Sequence, residues 1–178
     1  ELLGKRQEEQ LITLLCDAPI VEVAEFLTQQ SPPQLLSLLT RLPQELQGAI
    51  FANFKEEQQL DLYRLLDKKD FARIFTHIPS HQRAEFYQEL SDKEQVKLLP
   101  YLSKKVREDV ITLSAYPPGT AGSIMSTDFA TVIEDMSIKN AIQKLREDSP
   151  SKKMIYYIYV VDKNMQMIGF VSLKDLIM

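Results

Sequence analysis

Cysteine is nearly missing from this chain of 178 residues: Cys16 stands alone, so no disulfide closes within it, and such usage fits a reducing compartment. In the run Leu14-Leu15-Cys16 the thiol reads as buried and inert. Long apolar runs are missing too. The longest candidate, Ile155 to Val161, is seven residues with three tyrosines, far short of the roughly 18–20 needed to cross a bilayer. The opening Glu1-Leu2-Leu3-Gly4-Lys5-Arg6 turns polar too early for a signal peptide. Five Gly and nine Pro are too few for a low-complexity chain. No Ser-His-Asp set, P-loop or pair of catalytic acids stands out, so the chain does not read as an enzyme. A basic face is lacking as well. The net charge is −4: residues 1–116 hold 18 Asp/Glu against 14 Lys/Arg, and residues 117–178 hold seven of each. An acidic first part argues against nucleic acid as a partner and permits cations or basic surfaces.

What is present, first, is a repeat. Cut at Ser31, the chain falls into seven gapless blocks of twelve, from SPPQLLSLLTRL to SKKVREDVITLS. Positions 8, 9 and 12 are apolar or Tyr in 20 of 21 cases, where composition alone gives roughly nine. Steps of i, i+1 and i+4 share one face of a helix and not one face of a strand. Position 1 is Ser, Pro, Lys, Asp, Pro, Ser and Ser, mostly N-caps and helix breakers. Ser91-Asp92-Lys93-Glu94 has the pattern of a capping box. Each block therefore predicts one short helix ending in a tight turn. Helices this short do not hold alone, since nucleation costs more than they recover. They must stack, two blocks making a helical hairpin and the hairpins a superhelical solenoid. Pro19 to Gln30 reads as a weaker eighth block, and residues 1–18 as a capping helix.

The period changes after Ala115-Tyr116-Pro117-Pro118-Gly119-Thr120-Ala121-Gly122, whose prolines and glycines mark a boundary. Phe129 to Ile133 predicts a strand, and Ser137 caps a helix through about Glu147. Tyr156 to Val161 predicts a second strand, Asp162-Lys163-Asn164 a turn and Met167 to Val171 a third strand; Ser172 opens a last helix. The expected organisation is a mainly α solenoid over 1–115, a junction over 116–128 and an α+β domain of order β-α-β-β-α over 129–178.

Gly169-Phe170-Val171-Ser172-Leu173-Lys174-Asp175 resembles the signature of a CBS domain, a fold that pairs in tandem copies. One copy is present and its last helix is short, so its apolar faces are expected to be covered by a second molecule or a second copy. The helical blocks, the junction YPPGTAGSIM (Tyr116 to Met125) and the strand IYYIYVVD (Ile155 to Asp162) together resemble the MgtE family of magnesium transporters. That resemblance implies homodimers with a cytosolic N domain, two CBS copies, a connecting helix and a transmembrane pore. It implies that Mg²⁺ fills acidic sites between the N domain and the CBS pair and locks the pore shut, and that carboxylate repulsion separates the domains when the ion is scarce. It places such a chain at the cytoplasmic face of the membrane. Mg²⁺ takes oxygen ligands, keeps several waters and needs only one or two carboxylates, so such a site leaves no Cys/His spacing signature.

The resemblance also supplies candidate residues. Glu85 falls where the family has an N-domain carboxylate, while His81 stands where another acid is expected. Ser123 matches a junction position whose backbone carbonyl can serve as a ligand. Asp92 and Glu94, at a helix start, are further metal candidates, against the plainer reading that they meet the helix dipole. Tyr157, Ser172 and Asp175 match the surroundings of an adenine nucleotide in CBS sites, against a capping role for Ser172 and Asp175. His77 and His81 are four apart, but Pro79 between them breaks the helix. The reading is a magnesium-sensing regulatory region that gates a pore; the alternative is a soluble CBS-containing adaptor for an adenine nucleotide or a protein, with no transport role.

Overall fold

The structure, a computed structural model, describes the backbone of residues 2–148 and 156–178, and side chains of that range from residue 9 onward. Ile155, which the sequence pattern attaches to the second strand, lies outside the described residues, as does Glu1. The chain divides into two compact units, Glu1–Met125 and Ser126–Met178.

Up to Ser114 the described residues of the first unit are built from helices. After α1 (Leu2–Asp17) and α2 (Ile20–Thr28) come α3 (Pro32–Leu39), α4 (Gln44–Phe51), α5 (Glu56–Leu65), α6 (Lys68–Thr76), α7 (Ser80–Glu89), α8 (Asp92–Leu98) with a 3₁₀ turn at Leu99–Tyr101, and α9 (Lys104–Ser114). Position 1 of every block is the residue just ahead of its helix: Ser31, Pro43, Lys55, Asp67, Pro79, Ser91 and Ser103. Asp67 accepts from the Lys69 amide at 2.8 Å, satisfying one of the donors a helix start leaves orphaned. The expected box at Ser91 forms: its amide and hydroxyl both donate to Glu94, at 3.0 and 2.6 Å.

The stripe at positions 8, 9 and 12 is the core. Ile50, Phe51, Phe54, Leu62, Tyr63, Leu66, Ile74, Phe75, Ile78, Phe86, Tyr87 and Leu90 are all buried. Such side chains stabilise by roughly 1.5–3 kcal/mol each, and this burial holds helices of two to three turns. Phe86 lies at the centre of an aromatic cluster, its ring 5.3 Å from Phe51, 5.5 Å from Phe71 and 5.8 Å from Tyr63. Helices pack with the next but one: α2 on α4, α4 on α6, α6 on α8, and α7 on α9. That alternation is what stacked two-block hairpins require.

A second periodic feature was not legible as such. Position 5 carries a long donor in five blocks, and each reaches back to carbonyls that end the preceding helix. Gln47 donates to Leu42 O at 2.7 Å and Thr40 O at 3.3 Å, Gln59 to Phe51 O at 2.9 Å, and Gln95 to Tyr87 O and Leu90 O at 2.9 and 3.1 Å. Arg83 donates to Thr76 O at 3.0 Å and Arg107 to Leu102 O at 3.1 Å. Helix ends leave carbonyls without intrahelical partners, and these side chains satisfy them inside the stack. Arg83 is buried and also meets Asp109 of α9 at 3.7 Å.

The second unit runs β1 (Ala130–Ile133), α10 (Ile138–Asp148), β2 (Tyr157–Val161), β3 (Met167–Ser172) and α11 (Leu173–Ile177). The sheet order is β1-β2-β3, with β1 parallel and β3 antiparallel to β2. Parallel pairing needs a crossover, which α10 supplies; antiparallel pairing needs only a turn. In that turn Asp162 Oδ1 accepts from the amides of Asn164 and Gln166 at 2.8 and 2.9 Å, and Met165 takes φ +63°. Ala130, Val132 and Ile158 of the sheet pack with Ala141 and Leu145 of α10. On the opposite face Tyr157 and Phe170 lie largely exposed, ring to ring at 5.3 Å.

Candidate functional site

Two groups of candidate residues result, one in each unit, and the structure treats them differently. In the first unit, Glu85 stands on α7 with Ala84, Phe86 and Tyr87 buried beside it, and its own carboxylate is exposed. Three residues on, Gln88 donates to the carbonyls of Ser114 and Tyr116 at 2.7 and 3.3 Å, tying α7 to the chain that leaves α9. Ser123 lies half-buried in a turn, its hydroxyl and amide both donating to Thr120 O, at 2.9 and 3.1 Å. Asp92 is exposed in the first turn of α8.

Glu94 is occupied. It accepts twice from Ser91 and meets Arg64 Nε at 3.3 Å. The hydrogen bonds from Ser91, with the Arg64 guanidinium adding, hold its carboxyl below the usual carboxylate range. Its backbone carbonyl accepts the Tyr63 hydroxyl at 3.0 Å. The Tyr63 ring carries the Lys68 ammonium 3.7 Å from its centre. Burial pushes that Lys pKa down and the Tyr63 pKa up. Glu94 thus serves the joint of α5, α6 and α8. His77 ends α6 and His81 lies in α7, with Pro79 breaking the helix between them. Among the described residues no three His, Cys, Asp or Glu side chains gather where they could hold a metal ion.

In the second unit the three nucleotide candidates do come together. Tyr157 and Ser172 are direct partners across the β2–β3 ladder. Ser172 is the N-cap of α11, donating to Asp175 Oδ2 from its hydroxyl at 2.6 Å and its amide at 3.2 Å, while its oxygen accepts the Asp175 amide at 3.2 Å. Those bonds keep the Asp175 carboxyl below the ordinary range. The result is an exposed tyrosine ring beside a hydroxyl–carboxylate pair at one end of the sheet. A ring can stack on a base, and a carboxylate can accept from sugar hydroxyls.

Comparison with known protein families and structures bears on the two units as wholes. The model of the MgtE intracellular N domain covers residues 18–119, more than half of the chain. The chain belongs to the MgtE N-domain family. The CBS domain model follows directly, over residues 121–178. A protein named magnesium transporter MgtE from Thermus thermophilus is 36% identical over 81 residues, covering 46% of this chain and 18% of that protein. One of the same name from Enterococcus faecalis is 35% identical over 69 residues, covering 39% and 15%. The chain thus matches less than a fifth of the length of these MgtE relatives. Among solved structures, one described as the soluble part of a magnesium transporter superposes with TM-score 0.86 at 22% identity, covering 98% of this chain and 69% of that one. Another, described as the cytosolic domain of the Mg²⁺ channel MgtE in complex with ATP, gives 0.84 at 24% identity, covering 99% and 72%. At these identities the likeness concerns the fold: a helical repeat unit followed by a β-α-β-β-α unit. No helix among the described residues is long and apolar enough to cross a membrane.

Sequence reasoning missed Gln88 and the position-5 donors. A glutamine has no signature of its own; only its recurrence at one block position could have singled out Gln47, Gln59 and Gln95.

Proposed function

We propose that this chain is a cytosolic regulatory region of a magnesium transporter or channel, sensing Mg²⁺ with acidic groups and passing the result to a transmembrane pore carried by other parts of the full-length protein. The observation that carries this reading is the succession of an MgtE N domain and a CBS domain, beside partial matches to relatives named magnesium transporters. The chemistry supports it. Mg²⁺ keeps most of its waters and needs few carboxylates, so exposed acids such as Glu85 and Asp92, with a carbonyl such as that of Ser123, suit a hydrated ion better than a closed cage. Glu94 is the weakest ligand of the set, because Ser91 and Arg64 already occupy it. The charge excess of residues 1–116 makes the acids repel without the ion and draw together around it. A ligand that prefers one domain arrangement shifts the population toward it, which is all a switch requires. That the acids of both units act together, and that the protein works as a homodimer through its CBS domains, belongs to the same proposal and draws on the resemblance set out above.

A second reading has its own support: the Tyr157–Ser172–Asp175 constellation, and a similar structure described as a complex with ATP. It makes the second unit an adenine-nucleotide site, in a transporter or in an adaptor without a pore. Calorimetry on the 178-residue chain with MgCl₂, and separately with ATP and AMP, tests both. The sensor reading expects millimolar Mg²⁺ binding that Glu85→Ala weakens. Nucleotide binding lost on Asp175→Ala, with no response to Mg²⁺, favours the adaptor.

A further inference from the structure

The junction after α9 carries more internal contacts than a tether needs. Gln88, on α7, holds the carbonyls of Ser114 and Tyr116. Tyr116 then lays its ring over Gly122: a Cβ at Gly122 would stand 2.3 Å from Tyr116 Cδ1 and 2.5 Å from Cγ. A side chain at Gly122 would force the Tyr116 ring or the turn to shift. Between these contacts the backbone closes successive turns, Thr120 N to Pro117 O at 3.3 Å, Ser123 N to Thr120 O at 3.1 Å and Met125 N to Gly122 O at 3.2 Å. Gly119 takes φ +78°, which a residue with a side chain rarely adopts, so the fold-back is written into the chain. The compact unit that contains α7 extends through Met125 and ends there.

We infer that Gln88, Tyr116 and Gly122 form a latch that makes residues 116–125 a rigid extension of the helical unit, so that Ser123 is carried on the same body as Glu85. These are positioning residues. The consequence rests on the proposed cation reading: the junction ligand and the α7 ligand are preset relative to each other, and any relative motion of the two units is taken up after Met125. A flexible junction would instead impose an ordering cost on every binding event.

Backbone ¹⁵N relaxation on the full chain, recorded in EDTA, tests the latch without involving the ion. The non-proline amides of 117–125 are expected to show order parameters near those of α4–α7, about 0.85, and to fall below about 0.6 in Gln88→Leu and in Gly122→Ala. Gln88→Arg should restore them, because Arg83 and Arg107 grip helix-end carbonyls as the glutamines do. Resonances of α2–α6 report whether each variant is folded, and the two variants attack the latch from opposite sides. Low order parameters at 117–125 in the unaltered chain overturn the inference, as do folded variants that leave them at helical values. A MgCl₂ titration of the same sample addresses the sensor reading separately. Absence of any Mg²⁺-dependent shift defeats that reading and leaves the latch standing.

Discussion

Gln47 offers a sharp test of how the helical stack is held. The residue is 7% exposed and its amide donates to Leu42 O at 2.7 Å and to Thr40 O at 3.3 Å, two carbonyls near the end of the preceding block. Gln47→Leu keeps the volume and removes the donor. One well-buried acceptor then loses its partner, which costs about 1–3 kcal/mol, offset in part by the apolar gain, so a net loss of about 1–2 kcal/mol is expected. Gln47→Glu keeps the shape and replaces the donor with an anion facing two carbonyl oxygens. At pH 7 it should cost more than the Leu variant, about 3 kcal/mol or beyond, because a desolvated charge is added to the lost bond. Burial and the facing carbonyls disfavour the charged form, so the new carboxyl titrates above the ordinary value of about 4.3. Once protonated it regains a donor. The excess cost of Glu over Leu must therefore shrink as the pH falls from 7 through that raised pKa. Urea unfolding followed by far-ultraviolet circular dichroism, which the helical unit dominates, measures both variants across that range. If Gln47→Glu is no less stable than Gln47→Leu at pH 7, or if their difference does not change with pH, the position-5 side chains do not hold the stack.

Other expectations follow from single contacts. Gly48 of α4 lies against α6, where an added Cβ would stand 2.4 Å from the backbone carbon of His77; Gly48→Ala should lose about 1–2 kcal/mol despite a helix-propensity gain of about 1, seen as a drop in Tm. Met165 holds φ +63° in an exposed turn, so Met165→Gly should stabilise the second unit by about 0.5–1 kcal/mol, read from the exchange rates of β2 and β3 amides. Ser91→Ala removes the box around Glu94 and should cost about 1 kcal/mol. Because the folded Glu94 pKa lies below its unfolded value, its contribution is complete above the ordinary carboxylate range and is lost as the pH falls through the lowered value. The cost of Ser91→Ala should accordingly diminish in acid, and a cost independent of pH would count against this assignment.

Much of the architecture was legible because one physical requirement recurs. Helices too short to stand alone must each present the same apolar stripe, so Leu39, Phe51, Tyr63, Phe75 and Tyr87 fall at one block position and are all buried. The departures are at the end. In the last block Ile111 is 48% exposed and position 12 is Ser114, because no further helix of the repeat follows α9 to cover them. The second strand, expected over Tyr156 to Val161 and observed over Tyr157–Val161, was legible for a different reason: β-branched and aromatic residues crowd a helix but suit a pleated sheet. The position-5 donors were not legible, since a polar residue on an amphipathic helix ordinarily faces solvent. What turns Gln47, Gln59 and Gln95 inward is the carbonyl row of the preceding helix, which exists only after stacking.

The candidate residues divide along the same line. Ser172 and Asp175 were readable because a cap is a local device, made by residues three apart, and their closeness to Tyr157 follows from the register of one hairpin. Asp92 and Glu94 share a helix start, yet Glu94 is committed to Ser91 and Arg64 and only Asp92 is left exposed. Glu85 and Ser123 are separated by two helices and a junction, and no spacing rule links them. Gln88, three residues from Glu85 on α7, binds the start of the segment that carries Ser123. A site for a hydrated ion imposes few angles and distances, so its carboxylates need not be neighbours in the chain. What it does require is that the bodies bearing them be stiff, because a charge on a loose segment relaxes away from its neighbours and repulsion then does no work on the domains. Stiffness at Tyr116 and Gly122 is therefore as much a condition of the proposed sensing as the charge on Glu85.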